Sequence, residues 1–187
     1  MRYLSPLSAL ALCLALSLGS CKYRLSYDKE GMQQLHKELT HKFGSDAWYS
    51  EITVLNPSEE ETLIRVKTTD DPNSLRGKSW VKQAGSWIPL EDVVFQFSDS
   101  QPQSHLFQLG RQASLDTLAQ LIKRSATTLR QQGIDSATVH FVSIQSAQMV
   151  KQEDKRILYN ISFRNHADGQ SYTFVYDLRG RLLMLNR

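Results

Sequence analysis

Ala47-Trp48-Tyr49-Ser50-Glu51-Ile52-Thr53-Val54-Leu55, then Asn56-Pro57-Ser58, then Glu61-Thr62-Leu63-Ile64-Arg65-Val66-Lys67-Thr68-Thr69, is the passage that decides the fold class. The first run is rich in aromatic and β-branched residues and reads as a strand. Asn56-Pro57-Ser58 is a turn signal, and 61–69 reads as the returning strand. A connection this short joins antiparallel neighbours, because parallel strands need a helical crossover. The acidic run Glu59-Glu60-Glu61 fits a solvated turn between them.

Upstream, Met32, Leu35, Leu39 and Phe43 recur at three- and four-residue steps, so 29–43 reads as a helix that Gly44 stops. Downstream, Asp70-Asp71-Pro72-Asn73 marks a loop. Residues 78–83 and 86–90 read as a hairpin around Ala84-Gly85, and 92–97 as a further strand. The polar stretch 98–105 interrupts the pattern. A second helix is expected at 113–132, with Leu115, Leu118, Leu121, Ile122 and Leu129 facing inward, Ser114 as N-cap and Gly133 as stop. Strands at 136–146, 156–164, 171–177 and 181–186 follow, the last two around Arg179-Gly180.

The order helix, then meander, occurs twice. The expected fold is therefore α+β, with two similar halves, each one helix packed on an antiparallel meander of three to four strands. Residues 79–88 and 173–182 align best, which suggests an internal duplication; any α+β chain with meanders would share the order. The expected division is a leader at 1–20, a modified cysteine and tether at 21–30, a first repeat at 31–97, a linker at 98–112 and a second repeat at 113–187. Asp177-Leu178-Arg179-Gly180 resembles the Asp-x-x-Gly turn of small PepSY-like envelope repeats. The helix-plus-meander order also resembles the tandem repeats of the β-lactamase inhibitor protein type. Both resemblances are architectural, and no binding residue carries over from them.

The first twenty residues have the parts of a secretory signal: Arg2, an apolar run from Leu4 to Leu18, then small residues. The run is too short and too near the terminus for an ordinary spanning helix of about 20 residues. Leu18-Gly19-Ser20-Cys21 resembles the lipobox of bacterial lipoproteins. That resemblance implies cleavage before Cys21, a lipid on its thiol, and anchoring by several acyl chains where one would be marginal. Lys22 rather than Asp after the cysteine implies transfer to the outer membrane in enteric-type sorting. The plainer reading is an ordinary signal cut near Ser20, leaving Cys21 a free thiol. The other cysteine, Cys13, leaves with the leader, so the mature chain would hold no disulfide and no cysteine metal site.

The formal net charge of the whole chain is +3, with basic and acidic residues interspersed, which gives nucleic-acid binding no support. No catalytic or metal constellation has the required spacing. His36 and His41 are five apart and do not share a helix face as a zinc pair would. His105, His140 and His166 read as surface or capping residues. No serine sits in a Gly-x-Ser-x-Gly elbow, and Asp70-Asp71 and Glu91-Asp92 read as turn and solvation. Asn160-Ile161-Ser162 matches a glycosylation sequon but falls in mid-strand.

Trp48, Tyr49, Trp80 and Trp87 cluster in the first half. Read structurally, they are core residues and cross-strand pairs. Read functionally, they form an aromatic patch for a protein or glycan. The expectation is thus a non-enzymatic, lipid-anchored envelope protein that binds another protein, with no cofactor beyond the lipid on Cys21. The alternative is a lipoprotein that recognises a glycan or peptide through the aromatic patch.

Overall fold

The computed structural model describes residues 23–58, 61–95, 102–146 and 157–187. The leader, Cys21 and the charged loop 151–155 lie outside them. The fold is α+β. In chain order it comprises α1 (Lys29–Phe43), β1 (Trp48–Ser58), β2 (Glu61–Thr69), β3 (Arg76–Gln83) and β4 (Ser86–Val94). A short 3-10 turn (Pro102–His105) follows, then α2 (Leu115–Gln131), β5 (Ala137–Ser146), β6 (Ile157–Asn165), β7 (Ser171–Asp177) and β8 (Leu182–Asn186).

All eight strands form one antiparallel sheet in the order β4-β3-β2-β1-β5-β6-β7-β8. The register explains the core. Ile52 pairs with Val66 and Ile144, and Val54 with Ile64 and Val142. Ile144 pairs with Tyr159, Val142 with Ile161, Ile161 with Phe174, and Tyr159 with Tyr176. Because alternate side chains share a face, these pairs set one apolar face across five strands. Met32, Leu35 and Leu39 of α1 and Leu115, Leu118, Leu121, Ile122 and Leu129 of α2 join them in a single core cluster. Both helices therefore cover the same face of the sheet, and they touch each other.

Local chemistry sets the helix ends. Asp28 caps α1, its carboxylate accepting from the Gly31 N–H at 2.9 Å. Ser114 caps α2 through the Thr117 N–H at 3.3 Å. At the far end of α2, Gly133 takes φ +77°. Its N–H donates to the Arg130 carbonyl at 2.9 Å, and the Ile134 N–H reaches back to Leu129 at 3.0 Å. This is the Schellman arrangement, closed by the apolar pair Leu129 and Ile134. In the β3–β4 hairpin both turn residues have positive φ, +48° at Ala84 and +81° at Gly85, as a two-residue hairpin loop demands.

Three expectations need adjustment. The strand expected at 92–97 is not separate. A bulge, where the register shifts between Lys78 and Trp80, lets β4 run through from Ser86 to Val94. The described part of the expected linker, 102–112, is core rather than spacer. Leu106, Phe107 and Leu109 are buried, and Phe107 exchanges two backbone bonds with Tyr49, at 2.8 and 2.9 Å. The expected tether is docked from Tyr23 onward. The Thr62 N–H donates to the Tyr23 carbonyl and the Leu25 N–H to Thr62 Oγ1, each at 2.9 Å, and Leu25 is buried.

Candidate binding surfaces

The four expected patch aromatics do not share one exposed surface. A register shift around Ser50 turns Tyr49 to the helix-covered side together with Ile52. Tyr49 is buried there and stacks on Phe107, with ring centroids 5.8 Å apart. Burial pushes its phenol well above the ordinary value. Trp48 is half-buried, pairs with Thr69 in the strand, and stands outside the core cluster.

Trp80 and Trp87 are half-buried and packed edge-on against Phe43 at the C-terminal end of α1, with centroids 5.6 and 5.1 Å away. The β3–β4 pairing sets Lys82 opposite Trp87 and Pro89 opposite Trp80, so all four side chains project toward α1. Lys82 is itself buried. Its ammonium pairs with Glu38 of α1 and lies 3.9 Å from the centre of the Tyr23 ring, whose hydroxyl also donates to Glu38 at 2.9 Å. Burial raises the Glu38 carboxyl, but the hydrogen bonds from Lys82, Gln34 and Tyr23 outweigh it and hold the group below its usual range.

Where α1 stops, the end of the β2–β3–β4 layer is left open as a cleft of about 720 Å³. Trp80 and Phe43 form its apolar wall, and Lys42, Arg76, Lys78, Asp70, Asp71 and Asp92 line the rest. The Lys42 ammonium lies 4.6 Å from the Trp80 ring centre, a cation–π contact. The Trp80 indole N–H is buried without a hydrogen-bond partner among the described residues. Leaving a buried donor unpaired costs about 1–3 kcal/mol.

No helix among the described residues covers the other face of the sheet. Its middle is small and polar. Thr53 pairs with Ser143 across the central β1–β5 junction, Ser143 with Asn160, and Ser162 with Thr173. Asn160 donates to Ser143 Oγ and Thr173 to Ser162 Oγ, both at 3.3 Å. Phe141, Gln145 and Lys67 on the same face are only half-buried. From sequence only Asn160 and Ser162 drew notice, as parts of a sequon. The signal that could have found them is the run of small polar residues at alternate positions of strands whose other face is wholly apolar.

The histidines are dispersed. His36 and His41 are exposed on α1. His105 is buried and bonded to Ser146 Oγ at 3.1 Å, and His166 bonds Thr138 at 2.7 Å. Among the described residues no three metal-ligating side chains converge, and no helix is long and apolar enough to cross a membrane. The Asp177-Leu178-Arg179-Gly180 turn is held by the buried Asp177. Its Oδ1 accepts the Arg179 and Arg181 N–H groups at 3.0 and 2.8 Å, and its Oδ2 accepts from Arg181 Nε at 2.7 Å. Burial raises this carboxyl, yet the Arg181 bonds and charge dominate and leave it below the ordinary range.

Comparison with protein-family models, curated proteins and solved structures finds no match.

Proposed function

We propose that this chain is a lipid-anchored protein of the bacterial envelope that binds another protein and carries out no catalysis of its own. It would serve as an accessory subunit of an envelope or secretion machine, or as an inhibitor. The observation that carries the binding reading is the helix-free sheet face. On it Thr53, Thr173, Phe141, Lys67 and Gln145 are half-buried around the buried Ser143, Asn160 and Ser162. The anchoring reading rests on Leu18-Gly19-Ser20-Cys21. Only Lys22 stands between Cys21 and the docked Tyr23, so an acylated body would lie against the bilayer rather than swing from a long tether. In this reading the membrane is the outer one, with the body facing the periplasm or the cell surface. The helix-then-four-strand order, given twice and joined at β1 and β5, supports a reading as two duplicated halves.

The test is a pulldown of the full chain from detergent-solubilised envelopes. A stoichiometric partner that is lost with Thr53→Arg, on the helix-free face, supports the reading. Recovery of the chain alone overturns it. Incorporation of an alkyne-tagged fatty acid, abolished by Cys21→Ser, tests the anchor separately.

A second reading is favoured by the Trp80 cleft: a lipoprotein that recognises a glycan or peptide. The apolar wall of Trp80 and Phe43 beside charged side chains matches a ligand that joins an apolar surface to polar groups. Tryptophan fluorescence that does not change across oligosaccharide and peptide panels overturns it.

A further inference from the structure

Among the described residues the two edges of the sheet are unpaired, and they are unlike each other and complementary. Among the described residues, six large apolar side chains are exposed, and five of them lie on the edge strands: Ile88, Leu90 and Val94 on β4, Leu182 and Met184 on β8. An exposed apolar edge is a template for a further strand, and proteins ordinarily protect it with charge or proline. Here the charges differ in sign. The outer end of β4 carries Glu91 and Asp92. The approach to β8 carries Arg179 and Arg181, and Arg187 follows it, all exposed. Arg181 keeps its Nε on Asp177 and leaves the remainder of its guanidinium outward.

We infer that the β8 edge of one copy pairs with the β4 edge of a second copy, continuing the sheet head to tail. The direction of the strands favours this. In an antiparallel sheet of eight strands the two edge strands run opposite ways, so β8 of one copy and β4 of the next meet antiparallel. That pairing sets the C-terminal part of β4, with Glu91 and Asp92, beside the start of β8, with Arg181 and Arg179. Two-fold pairings do worse. β4 against β4 gathers four carboxylates and no cation from these segments, and β8 against β8 gathers only arginines beyond the Asp177 already engaged; like charges across strands destabilise. The contact is heterologous, so it closes into a ring or grows as a filament according to the sheet's twist. Pro89 withdraws one N–H from the β4 edge, which leaves the apolar and charged side chains a larger share of the contact.

The experiment uses the full chain, expressed in a bacterial envelope with its own leader. Cys13 and Cys21 are its two native cysteines. Ile88→Cys or Leu90→Cys is combined with Leu182→Cys or Met184→Cys, in all four pairings, under oxidising conditions. The expected result is a disulfide-linked ladder of dimers, trimers and larger species that collapses on reduction. Chains bearing a β4 cysteine alone and chains bearing a β8 cysteine alone give no ladder, but form a dimer when co-expressed. Glu91→Lys with Asp92→Lys reduces crosslinking at least tenfold, and Arg179→Glu in the same chain restores it. Efficient dimers from either single-edge variant by itself, or no crosslink in any of the four pairings, overturns the inference. The unsubstituted chain reports on the anchor independently: a crosslink or maleimide label at Cys21 shows a free thiol there, and leaves the edge pairing to its own readout.

Discussion

Lys82, in the middle of the sheet's outer half, places its ammonium against the Glu38 carboxylate of α1 beneath the Tyr23 ring. The lysine side chain is 7% exposed and the glutamate 22%. The pair therefore joins three segments: the docked N-terminal stretch, the helix and β3. Removing one partner of a buried pair leaves the other charge uncompensated, at about 3–5 kcal/mol for a fully buried site. Glu38 keeps some contact with water, so Lys82→Met is expected to cost less, about 1–2 kcal/mol. Glu38→Gln strands the deeper charge and is expected to cost more. Urea unfolding of the two variants checks the order; equal costs would show that burial of the lysine is not what matters.

A second relationship predicts an asymmetry. The Ser125 hydroxyl on α2 donates to the Leu121 carbonyl at 2.9 Å, so the Tyr176 hydroxyl, 2.7 Å away, must be the donor to Ser125. Ser125→Ala leaves the tyrosine hydroxyl unpaired inside the core, at about 1–3 kcal/mol. Tyr176→Phe leaves Ser125 still bonded to Leu121 and is expected to cost about 0.5–1.5 kcal/mol. Denaturation midpoints at constant slope measure both.

The pH dependence has a definite sign. Asp177 and Glu38 both have carboxyl pKa values below ordinary in the folded chain. A depressed folded value contributes stability that is fully present above the unfolded value, about 3.9 for Asp and 4.3 for Glu. That stability is lost as pH falls through the folded value. Stability is thus expected to be flat above about pH 5.5 from these groups and to drop below about pH 4. Asp177→Asn is expected to lower stability at pH 7 and to flatten the acid limb. An unchanged acid limb would remove Asp177 from the account.

The β3–β4 turn holds Ala84 at φ +48°. A left-handed conformation costs an L-residue about 1–2 kcal/mol, and asparagine tolerates it better. Ala84→Asn is therefore expected to stabilise the chain by about 0.5–1 kcal/mol. A thermal scan that shows no rise would mean the turn relaxes to another type without the substitution.

Much of the secondary structure was legible because it is local. Ser114, Gly44 and Gly133 mark three of the helix ends, and the Phe43 and Leu129 periodicities mark the helices between them. The paired runs 47–55 and 61–69 became β1 and β2 with a turn between. What was misread depends on distant partners. Residues 102–112 look polar and loop-like from Gln103 to His105, and only the pairing with β1 and the core brings Leu106, Phe107 and Leu109 inside. Residues 23–27 read as tether because their hydrogen bonds go to Thr62 and Glu38, far along the chain.

The aromatic cluster shows the same division. Trp80 and Trp87 were placed on facing strands by their spacing around Ala84-Gly85. Whether they faced water or a helix was a matter of which side α1 covered, and Phe43 decides that side. Alternation and capping are set by nearest neighbours along the chain, so the sequence by itself determined most of the elements, their antiparallel order within each meander and the α+β class. The union of β1 with β5, the burial of Lys82 and Tyr49, the helix-free face and the opposed edges at β4 and β8 were decided by the tertiary structure, because each arises where residues remote in sequence compete for the same apolar face.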